Sequence, residues 1–283
     1  MKPMVKYRGG KYREIPLFEK YIPRKYEKYF EPFLGGGALF FYLEPRNSIV
    51  NDINANLVRF YLDVQKHYEK MRQQLDQLQA LYEFNQATFR EKKDKNPDIH
   101  VENLNEKLYY HIRDMFNGKI KKEYLESVIY YFINKTAYSG MIRYNSIGEY
   151  NVPFGRYANF NTSIITKGHS ELLKKSEILC GDYRTAFEKA GKNDFMFLDP
   201  PYDCIFNDYG NLEFEDGFNE SEHRRLAQDF KNLSCKALMV VGKTPLTEDL
   251  YKKYIRDEYF KSYAVNIRNR FKSEAKHIIV TNY

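Results

Sequence analysis

The hydrophobic positions of the chain follow two different patterns. Near the N-terminus, a β-type run from residue 29 leads into three consecutive glycines and a short apolar helix at 38–43, and a second β-type run follows at 48–51. From about residue 57 to residue 125, apolar side chains recur at three- and four-residue intervals instead. Such spacing is typical of amphipathic helices. The pattern therefore predicts two early strands followed by a long helical region.

The last third of the chain returns to short apolar runs separated by helical stretches. We expect strands at 177–180, 195–198 and 237–241, helices at 185–190 and 221–233, and two late strands at 263–267 and 277–281. Alternation of this kind predicts an α/β fold with a largely parallel sheet and helices on both faces. The helical middle is then an insertion, so we expect a sheet domain of residues 1–56 and 176–283 and an inserted domain of residues 57–175.

Charge adds a preference for a polyanionic partner. The 283 residues include 45 Lys and Arg against 38 Asp and Glu, for a net charge of +7 and a pI near 9.0. A modest basic excess favours nucleic acid without proving it. Aromatic residues make up 17% of the chain, and they offer stacking surfaces as well as core side chains.

The cysteines and the apolar runs argue against several protein classes. Cys180, Cys204 and Cys235 show neither a CxxC pattern nor Cys/His metal spacing, which favours a reducing compartment and no metal site. Apolar runs stay well below the roughly 18 residues of a membrane span, and the N-terminus lacks the apolar core of a signal peptide. We expect a cytoplasmic, monomeric protein that needs neither a membrane nor a metal.

The apolar run at 195–198 ends in Asp199, Pro200, Pro201 and Tyr202. Each proline fixes its own φ and removes a backbone donor. An acid and bare carbonyl groups at the carboxyl end of a buried strand can only accept hydrogen bonds, which suits an exocyclic amino group that attacks an electrophile. The alternative is an ordinary Pro-Pro turn in which Asp199 is a turn former.

The triple glycine at 35–37 indicates a cofactor site. Glycines after a strand allow close approach of a ligand and tight packing of the following helix. Asp52 ends the next strand and is placed to accept hydrogen bonds from ribose hydroxyls. The pattern departs from G-x-G-x-x-G, so an adenosine-containing cofactor without phosphates fits better than NAD. A glycine-rich turn beside a solvated acid is the alternative interpretation.

Taken together, these segments resemble the Dam-type, D12-class family of DNA adenine-N6 methyltransferases. Residues 7–11 resemble the family's aromatic-x-Gly-Gly-Lys motif, with Tyr7 where tryptophan is usual. Residues 31–37 and 51–54 resemble its cofactor motifs, and residues 199–202 resemble its catalytic motif. The order, with the catalytic motif after a long insertion, is also the family's.

A fifth match lies at the end of the insertion. Residues 139–145 and 150–157 resemble the DNA-reading hairpin of GATC-type enzymes. The family often has Phe-Asn before the first glycine of this hairpin, whereas this chain has Tyr138 and Ser139. The resemblance covers nearly the whole chain. It implies a Rossmann-like S-adenosylmethionine-dependent sheet with an inserted, mostly helical recognition domain that carries a β-hairpin.

The resemblance also implies roles for individual residues. The catalytic set is Asp199, Pro200, Pro201 and Tyr202. S-adenosylmethionine is expected at Tyr7, Lys11, Phe33, Gly35, Gly37, Asp52, Asp182 and Asp199, with Asp182 near its adenine amino group. Double-stranded DNA is expected at Tyr138, Arg143, Asn145, Pro153, Arg156, Arg268 and Arg270.

A mechanism follows for an adenine substrate. The Asp199 carboxylate and the Pro200 carbonyl each accept a hydrogen bond from one N6 hydrogen. The nitrogen lone pair then points at the sulfonium methyl group. The adenine must leave the duplex to reach them, and we expect it to stack on Tyr202. Arg143 is the candidate for a bidentate guanine contact, or else for a phosphate contact. The other arginines of the DNA set are expected on the DNA backbone.

The same residues also fit other functions. The acid and prolines at 199–201 also resemble the motif of methyltransferases that act on cytosine N4 or on a protein glutamine amide. A catalytically silent DNA-binding module of the same fold is a third possibility. We expect a site-specific adenine methyltransferase with GATC, or a related short site, as the first hypothesis for its target.

Overall fold

A seven-stranded mixed sheet forms the centre of the molecule. The computed structural model describes residues 1–7, 9–201, 218–261 and 275–283. The strands are β1 (Tyr29–Glu31), β2 (Ser48–Asp52), β3 (Ser176–Cys180), β4 (Phe195–Leu198), β5 (Lys236–Gly242), β6 (Ile255–Lys261) and β7 (Ala275–Thr281). Their order across the sheet is β3-β2-β1-β4-β5-β7-β6.

The first five strands of this order pair in parallel, and β7 runs antiparallel to both β5 and β6. The predicted largely parallel sheet is confirmed, with an antiparallel edge that the pattern did not indicate. Strand β4 lies where it was predicted. β6 was missed because exposed and half-buried residues alternate along it, and four of its seven residues are charged (Arg256, Asp257, Glu258, Lys261). The strand predicted at 263–267 falls outside the described residues.

Ten α-helices surround this sheet in the described part of the chain. They are α1 (Ile15–Phe18), α2 (Ala38–Leu43), α3 (Ala55–Lys66), α4 (Tyr68–Lys95), α5 (Leu104–Phe116), α6 (Glu126–Thr136), α7 (Lys167–Leu173), α8 (Arg184–Phe187), α9 (Glu220–Lys231) and α10 (Pro245–Tyr251). Short 3₁₀ turns lie at Glu19–Tyr21 and Tyr138–Gly140. None of the helices described is long and apolar enough to cross a membrane.

Strand β4 shows how helices come to cover both faces of the sheet. Successive side chains of a strand point to opposite faces. Phe195 and Phe197 accordingly belong to one buried cluster, and Met196 and Leu198 belong to the other. All four side chains are buried, so a continuous apolar run is what this central position requires.

The larger buried cluster also contains the helical middle of the chain. Residues of α4, α5 and α6 share it with residues of β1, β2 and β4. Helix α3 contacts β2 and β3 as well as α6. The first helix after residue 56 therefore packs on the sheet and on the helical region together, and the division at 57 and 175 stays a prediction.

Residues 137–157 form an antiparallel loop, which we call the recognition loop because the resemblance predicts DNA contacts there. Two isolated bridges, Ala137–Phe154 and Tyr144–Tyr150, hold its two sides together. This segment is described throughout, and regular strand pairing within it is limited to those two bridges. The hairpin suggested by the resemblance is thus an irregular antiparallel one. Backbone hydrogen bonds such as Tyr138 N to Pro153 O and Asn151 N to Arg143 O join its two sides without forming a continuous ladder.

Candidate active site

A cleft opens at the carboxyl ends of the parallel strands, beside β1 and β4. The chain leaves β1 toward β2 on one side, whereas β4 lies on the other side, so this is where the strand order reverses. Ligands of open α/β sheets bind at such a switch point. The cleft encloses about 840 Å³ of empty space, counting the part open to solvent. That volume is in the range of small-molecule sites, about 300–1,000 Å³.

The turn of residues 33–37 forms one wall of the cleft, and its glycines are sterically required. Gly35 and Gly37 have φ of +48° and +66°, which favours glycine. A Cβ on Gly35 would lie 2.8 Å from the Tyr7 ring. A Cβ on Gly37 would lie 2.8 Å from the ring of Phe41 in α2. The structure thus brings Tyr7 against the glycine turn, as the resemblance suggested.

Asp52 fastens this turn to the end of β2. Its Oδ2 accepts a hydrogen bond from Gly35 N at 2.7 Å, and its Oδ1 accepts one from Asn54 N at 2.9 Å. Tyr61 of α3 donates its hydroxyl to Gly35 O at 2.8 Å. Asp52 also lines the cleft. This structural role of Asp52 was not predicted.

Asn51 connects three segments of the cleft. Its Nδ2 donates to Pro32 O at 3.0 Å and to Gly181 O at 2.9 Å. Its Oδ1 is buried and accepts no hydrogen bond from the residues described. Asn51 lines the cleft, so the structure contains a buried acceptor there that a ligand could satisfy.

Asp199 meets Lys11 at the floor of the cleft. Lys11 Nζ lies 2.6 Å from Asp199 Oδ1 and also donates to Gly9 O at 3.2 Å. The Lys11 side chain is fully buried. Burial raises the pKa of the Asp199 carboxyl, and the adjacent Lys11 ammonium opposes that rise. The structure therefore places Lys11, predicted as a cofactor contact, directly on the predicted catalytic acid.

Pro200 and Pro201 extend the floor of the cleft beyond Asp199. Neither has a backbone N–H, so this stretch presents acceptors only. Tyr202, Arg268 and Arg270 lie outside the described residues.

Aromatic rings extend the wall from Phe33 toward Asp182. Phe33 packs against Tyr183 with ring centroids 5.3 Å apart and against Phe218 at 5.9 Å. Asp182 Oδ2 accepts from Arg225 Nη2 at 2.7 Å. Sequence reasoning missed the cleft residues Tyr183 and Phe218 and the Asp182 partner Arg225, because nothing in their local patterns brings them together.

Glu31 was also missed, although it lines the cleft. Its Oε2 accepts from Tyr29 Oη at 2.7 Å and from Phe40 N at 3.0 Å. Burial raises the pKa of the Glu31 carboxyl to about 8, although the Tyr29 hydrogen bond lowers it; Asp199 and Asp52 raise it further. The available signal was an acid inside a buried strand, directly before Pro32.

The predicted DNA-reading side chains lie on the recognition loop. Arg143 is exposed, and its Nε donates to Asn151 Oδ1 at 2.8 Å across the loop. Asn145 Oδ1 accepts from Ile147 N and Glu149 N, so this side chain holds the turn at the tip. The exposed members of the set are Tyr138, Arg143, Pro153 and Arg156.

The N-terminal segment joins this loop to the cleft. Lys6 N donates to Asn134 Oδ1 at 2.9 Å, and Asn134 Nδ2 donates to Lys6 O at 2.8 Å. The Lys6 ammonium lies 4.2 Å from the centre of the Tyr157 ring. Since Tyr7 packs on Gly35, two neighbouring residues touch the loop and the glycine turn.

Comparison with known proteins agrees with this arrangement. The model of the D12 class N6 adenine-specific DNA methyltransferase family matches residues 7–267 of the chain. The chain belongs to this family. The mixed seven-stranded sheet flanked by helices is consistent with the Rossmann-like fold predicted for a D12-class methyltransferase.

Individual relatives align over almost the full length. The Type II methyltransferase M.CviBI of Paramecium bursaria Chlorella virus NC1A is 35% identical over 291 residues, covering 100% of both chains. The Type II methyltransferase M1.LlaDCHI of Lactococcus lactis subsp. cremoris is 29% identical, covering 100% of this chain and 96% of its own. The DNA adenine methylase of Haemophilus influenzae is 26% identical, covering 96% of this chain and 91% of its own.

In this D12-class methyltransferase, the predicted cofactor residues are gathered in one place. The cleft is lined by Tyr7, Lys11, Phe33, Gly35, Asp52, Asp182 and Asp199, together with Pro200 and Pro201. Gly37 lies behind them, at the start of α2. Among the residues described, no group of three or more His, Cys, Asp or Glu side chains is arranged to hold a metal ion.

Proposed function

We propose that this D12-class methyltransferase transfers the methyl group of S-adenosylmethionine to N6 of an adenine flipped out of duplex DNA. The observation that carries the proposal is the acceptor-only ledge of Asp199, Pro200 and Pro201 in the same cleft as the glycine turn. The amine nitrogen gains positive charge as it takes the methyl group from the sulfonium sulfur, and it then loses one proton. Hydrogen-bond acceptors stabilise that developing charge.

The residues of the cleft fit S-adenosylmethionine. The aromatic wall of Phe33, Tyr183 and Phe218 suits a flat purine ring. Asp182 lies beside that wall, where it can accept from an exocyclic amino group, and Asp52 can accept from ribose hydroxyls. The buried Asn51 Oδ1 supplies a further acceptor for a ligand donor. When bound, the cofactor supplies an electrophilic methyl group on a cationic sulfur.

The chain's own part in the reaction is to hold the amine. Lys11 donates a hydrogen bond to Asp199 Oδ1. Asp199 Oδ2 then accepts a hydrogen bond from one N6 hydrogen, and the Pro200 carbonyl accepts a hydrogen bond from the other. The Lys11 ammonium favours the ionised form of Asp199. The carboxylate then opposes the positive charge that develops on N6, and the rigid prolines fix the direction of attack.

Two observations support DNA as the substrate, namely the family match and the recognition loop. A base inside a duplex cannot enter the cleft, so the adenine must be extruded. Arg143 is exposed on a loop braced by Asn151, and arginine to guanine is the commonest specific base contact. A GATC or related site is the first hypothesis. The family's adenine specificity favours adenine over cytosine N4 or a glutamine amide.

The test is to identify the methylated nucleoside. Purified protein is incubated with labelled S-adenosylmethionine and duplexes that contain or lack GATC, and the DNA is digested to nucleosides for mass spectrometry. The proposal predicts N6-methyladenine in one duplex class and none with Asp199→Ala. N4-methylcytosine, or label only in protein, would contradict it.

A further inference from the structure

A buried charged cluster lies behind the Lys11–Asp199 pair. Its centre is Glu14, the residue before α1. Glu14 Oε2 accepts from Tyr259 Oη at 2.6 Å and lies 2.9 Å from His277 Nδ1, and its Oε1 lies 2.8 Å from Lys261 Nζ. The side chains of Glu14, Lys261 and His277 are 10%, 14% and 1% exposed. The proposed chemistry assigns no role to any of these four residues.

Burying these charged side chains lowers the stability of the folded protein unless they are well paired. An unpaired buried charge is strongly destabilising, and even a buried pair recovers its desolvation cost only with good geometry. Burial raises the pKa of Glu14, but the His277 hydrogen bond, the Lys11 charge and hydrogen bonds from Lys261 and Tyr259 together lower it to about 2. Burial lowers the pKa of His277, against the opposing effect of Glu14. A neutral His277 therefore donates to an ionised Glu14.

The cluster and the catalytic floor form one connected unit. Tyr259 and His277 pair across the antiparallel strands β6 and β7. Glu14 N donates to Lys11 O at 2.7 Å, so the two residues share one turn of the backbone. The negative charge of Glu14 acts on Lys11 and on Asp199. With Glu14, Asp199, Lys11 and Lys261 ionised, the charges sum to zero.

We propose that Glu14, held by Tyr259, Lys261 and His277, is a positioning residue that fixes Lys11 and through it the Asp199 carboxylate. This inference rests on the proposed adenine methylation. A lysine side chain is flexible and carries a compact charge. Asp199 Oδ1 and Gly9 O accept hydrogen bonds from the ammonium. The Glu14 carboxylate attracts the ammonium from the cluster, and the Glu14 main chain is bonded to that of Lys11.

The positioning role has a pH signature. The charged groups that act on the Asp199 carboxyl are Lys11, Lys261 on β6, Glu14 and, across the cleft, Glu31 on β1. The Glu14 charge raises the pKa of Asp199, but the Lys11 charge and hydrogen bond lower that pKa by more. If Glu14 holds Lys11 in place, neutralising Glu14 releases Lys11 and the pKa of Asp199 rises. Since Asp199 must be ionised to accept a hydrogen bond from N6, the acid limb of the kcat profile should move to higher pH.

The experiment compares Glu14→Gln with Glu19→Gln, which changes an exposed acid of the same segment bonded only to Tyr42 among the described residues. Steady-state methylation is measured across pH, together with cofactor Kd and Tm. A misplacement of about 1 Å can cost as much as 10²-fold in rate. We expect Glu14→Gln to lower kcat by about tenfold or more, with the acid limb shifted to higher pH. An acid limb shifted to lower pH would mean that Lys11 stays in place, and it would contradict the positioning role. Glu19→Gln should match the wild type.

A second variant keeps the test decisive if Glu14→Gln folds poorly. Tyr259→Phe removes one donor to Glu14 while leaving every charge in place. It should lower kcat several-fold with an unshifted acid limb. The positioning role would be overturned if both variants kept the kcat and pH profile of the wild type. If Glu14→Gln is unfolded, wild-type behaviour of Tyr259→Phe alone would overturn it. Absence of N6-methyladenine with the wild-type protein would instead reject the proposed function.

Discussion

In the catalytic cleft, side chains hold the backbone in place, whereas in the recognition loop the backbone presents side chains to solvent. Asp52 bonds two main-chain amides and Asn51 bonds two carbonyls. In the loop, Asn145 secures the tip turn, and Arg143 reaches only as far as Asn151. The cleft is thus assembled from distant segments. The loop is anchored at its base by Tyr82 on α4 and Tyr109 on α5, and its tip turn is held by its own Asn145.

This difference predicts how each region tolerates change. A substitution in the cleft that removes a hydrogen-bonding side chain removes a proposed contact to cofactor or substrate. It also leaves backbone groups without partners, so the methylation rate, the cofactor affinity and the stability should change together. A loop substitution changes one exposed contact and leaves the scaffold intact. Four variants, ordered from the largest expected effect to the smallest, test this contrast.

Asp199→Ala should give the largest loss. Without the carboxylate, one N6 hydrogen and the growing charge on N6 lose their acceptor, so kcat should fall by about 10³-fold or more. DNA affinity should stay close to that of the wild type. Single-turnover methylation and DNA binding are the measurements, with the exposed acid variant Asp98→Ala as the control. Turnover retained by Asp199→Ala would remove the acceptor-ledge mechanism.

Asp52→Ala should affect cofactor binding and stability together. It leaves Gly35 N and Asn54 N without their acceptor, at about 1–3 kcal/mol each if they stay unsatisfied. Loss of a charged acceptor for ribose should raise the cofactor Kd by about 10- to 100-fold. Calorimetric titration and thermal unfolding measure the two effects. A lower Tm with an unchanged Kd would leave Asp52 a purely structural role.

Arg143→Ala should act on specificity alone. A lost bidentate guanine contact should reduce discrimination at one base pair by about 1–3 kcal/mol, with Tm unchanged because Arg143 is exposed. Methylation of single-substitution duplexes measures the effect, with Lys92→Ala on α4 as the control. Uniformly weaker binding with a smaller salt slope would make Arg143 a phosphate contact.

Glu31→Gln should have the smallest effect and a distinct pH dependence. The pKa of Glu31 is raised to about 8 in the folded protein, so the folded state holds this proton more tightly than the unfolded state does. Its stabilising contribution is full below the unfolded pKa and is lost as pH rises through about 8. Urea unfolding between about pH 6 and 9 should show wild-type stability falling more steeply than that of Glu31→Gln. Parallel curves would contradict the raised pKa.

The sequence patterns located the elements whose signal is local. The apolar run of β4 and the short helix α2 lie where they were predicted, because burial on both sides requires continuous apolar residues there. The glycine turn and Asp52 could likewise be found from their spacing. Strand β6 escaped prediction because its run of consecutive charged residues, 256–258, suits an edge strand as well as a surface loop.

Contacts between distant segments around the cleft could not be predicted in the same way. Glu14 and His277 are 263 positions apart in the chain, and only the antiparallel edge of the sheet brings them together. Arg225 reaches Asp182 from a helix 43 positions away. Contacts of this kind depend on tertiary packing, and no periodicity of the sequence encodes them.

The most direct test of the central claim is to treat unmethylated genomic DNA with the protein and S-adenosylmethionine and to map modified bases at single-nucleotide resolution. The account predicts N6-methyladenine confined to one short motif, and none with Asp199→Ala. No modified base despite measurable cofactor binding, or modification of a base other than adenine, would contradict it.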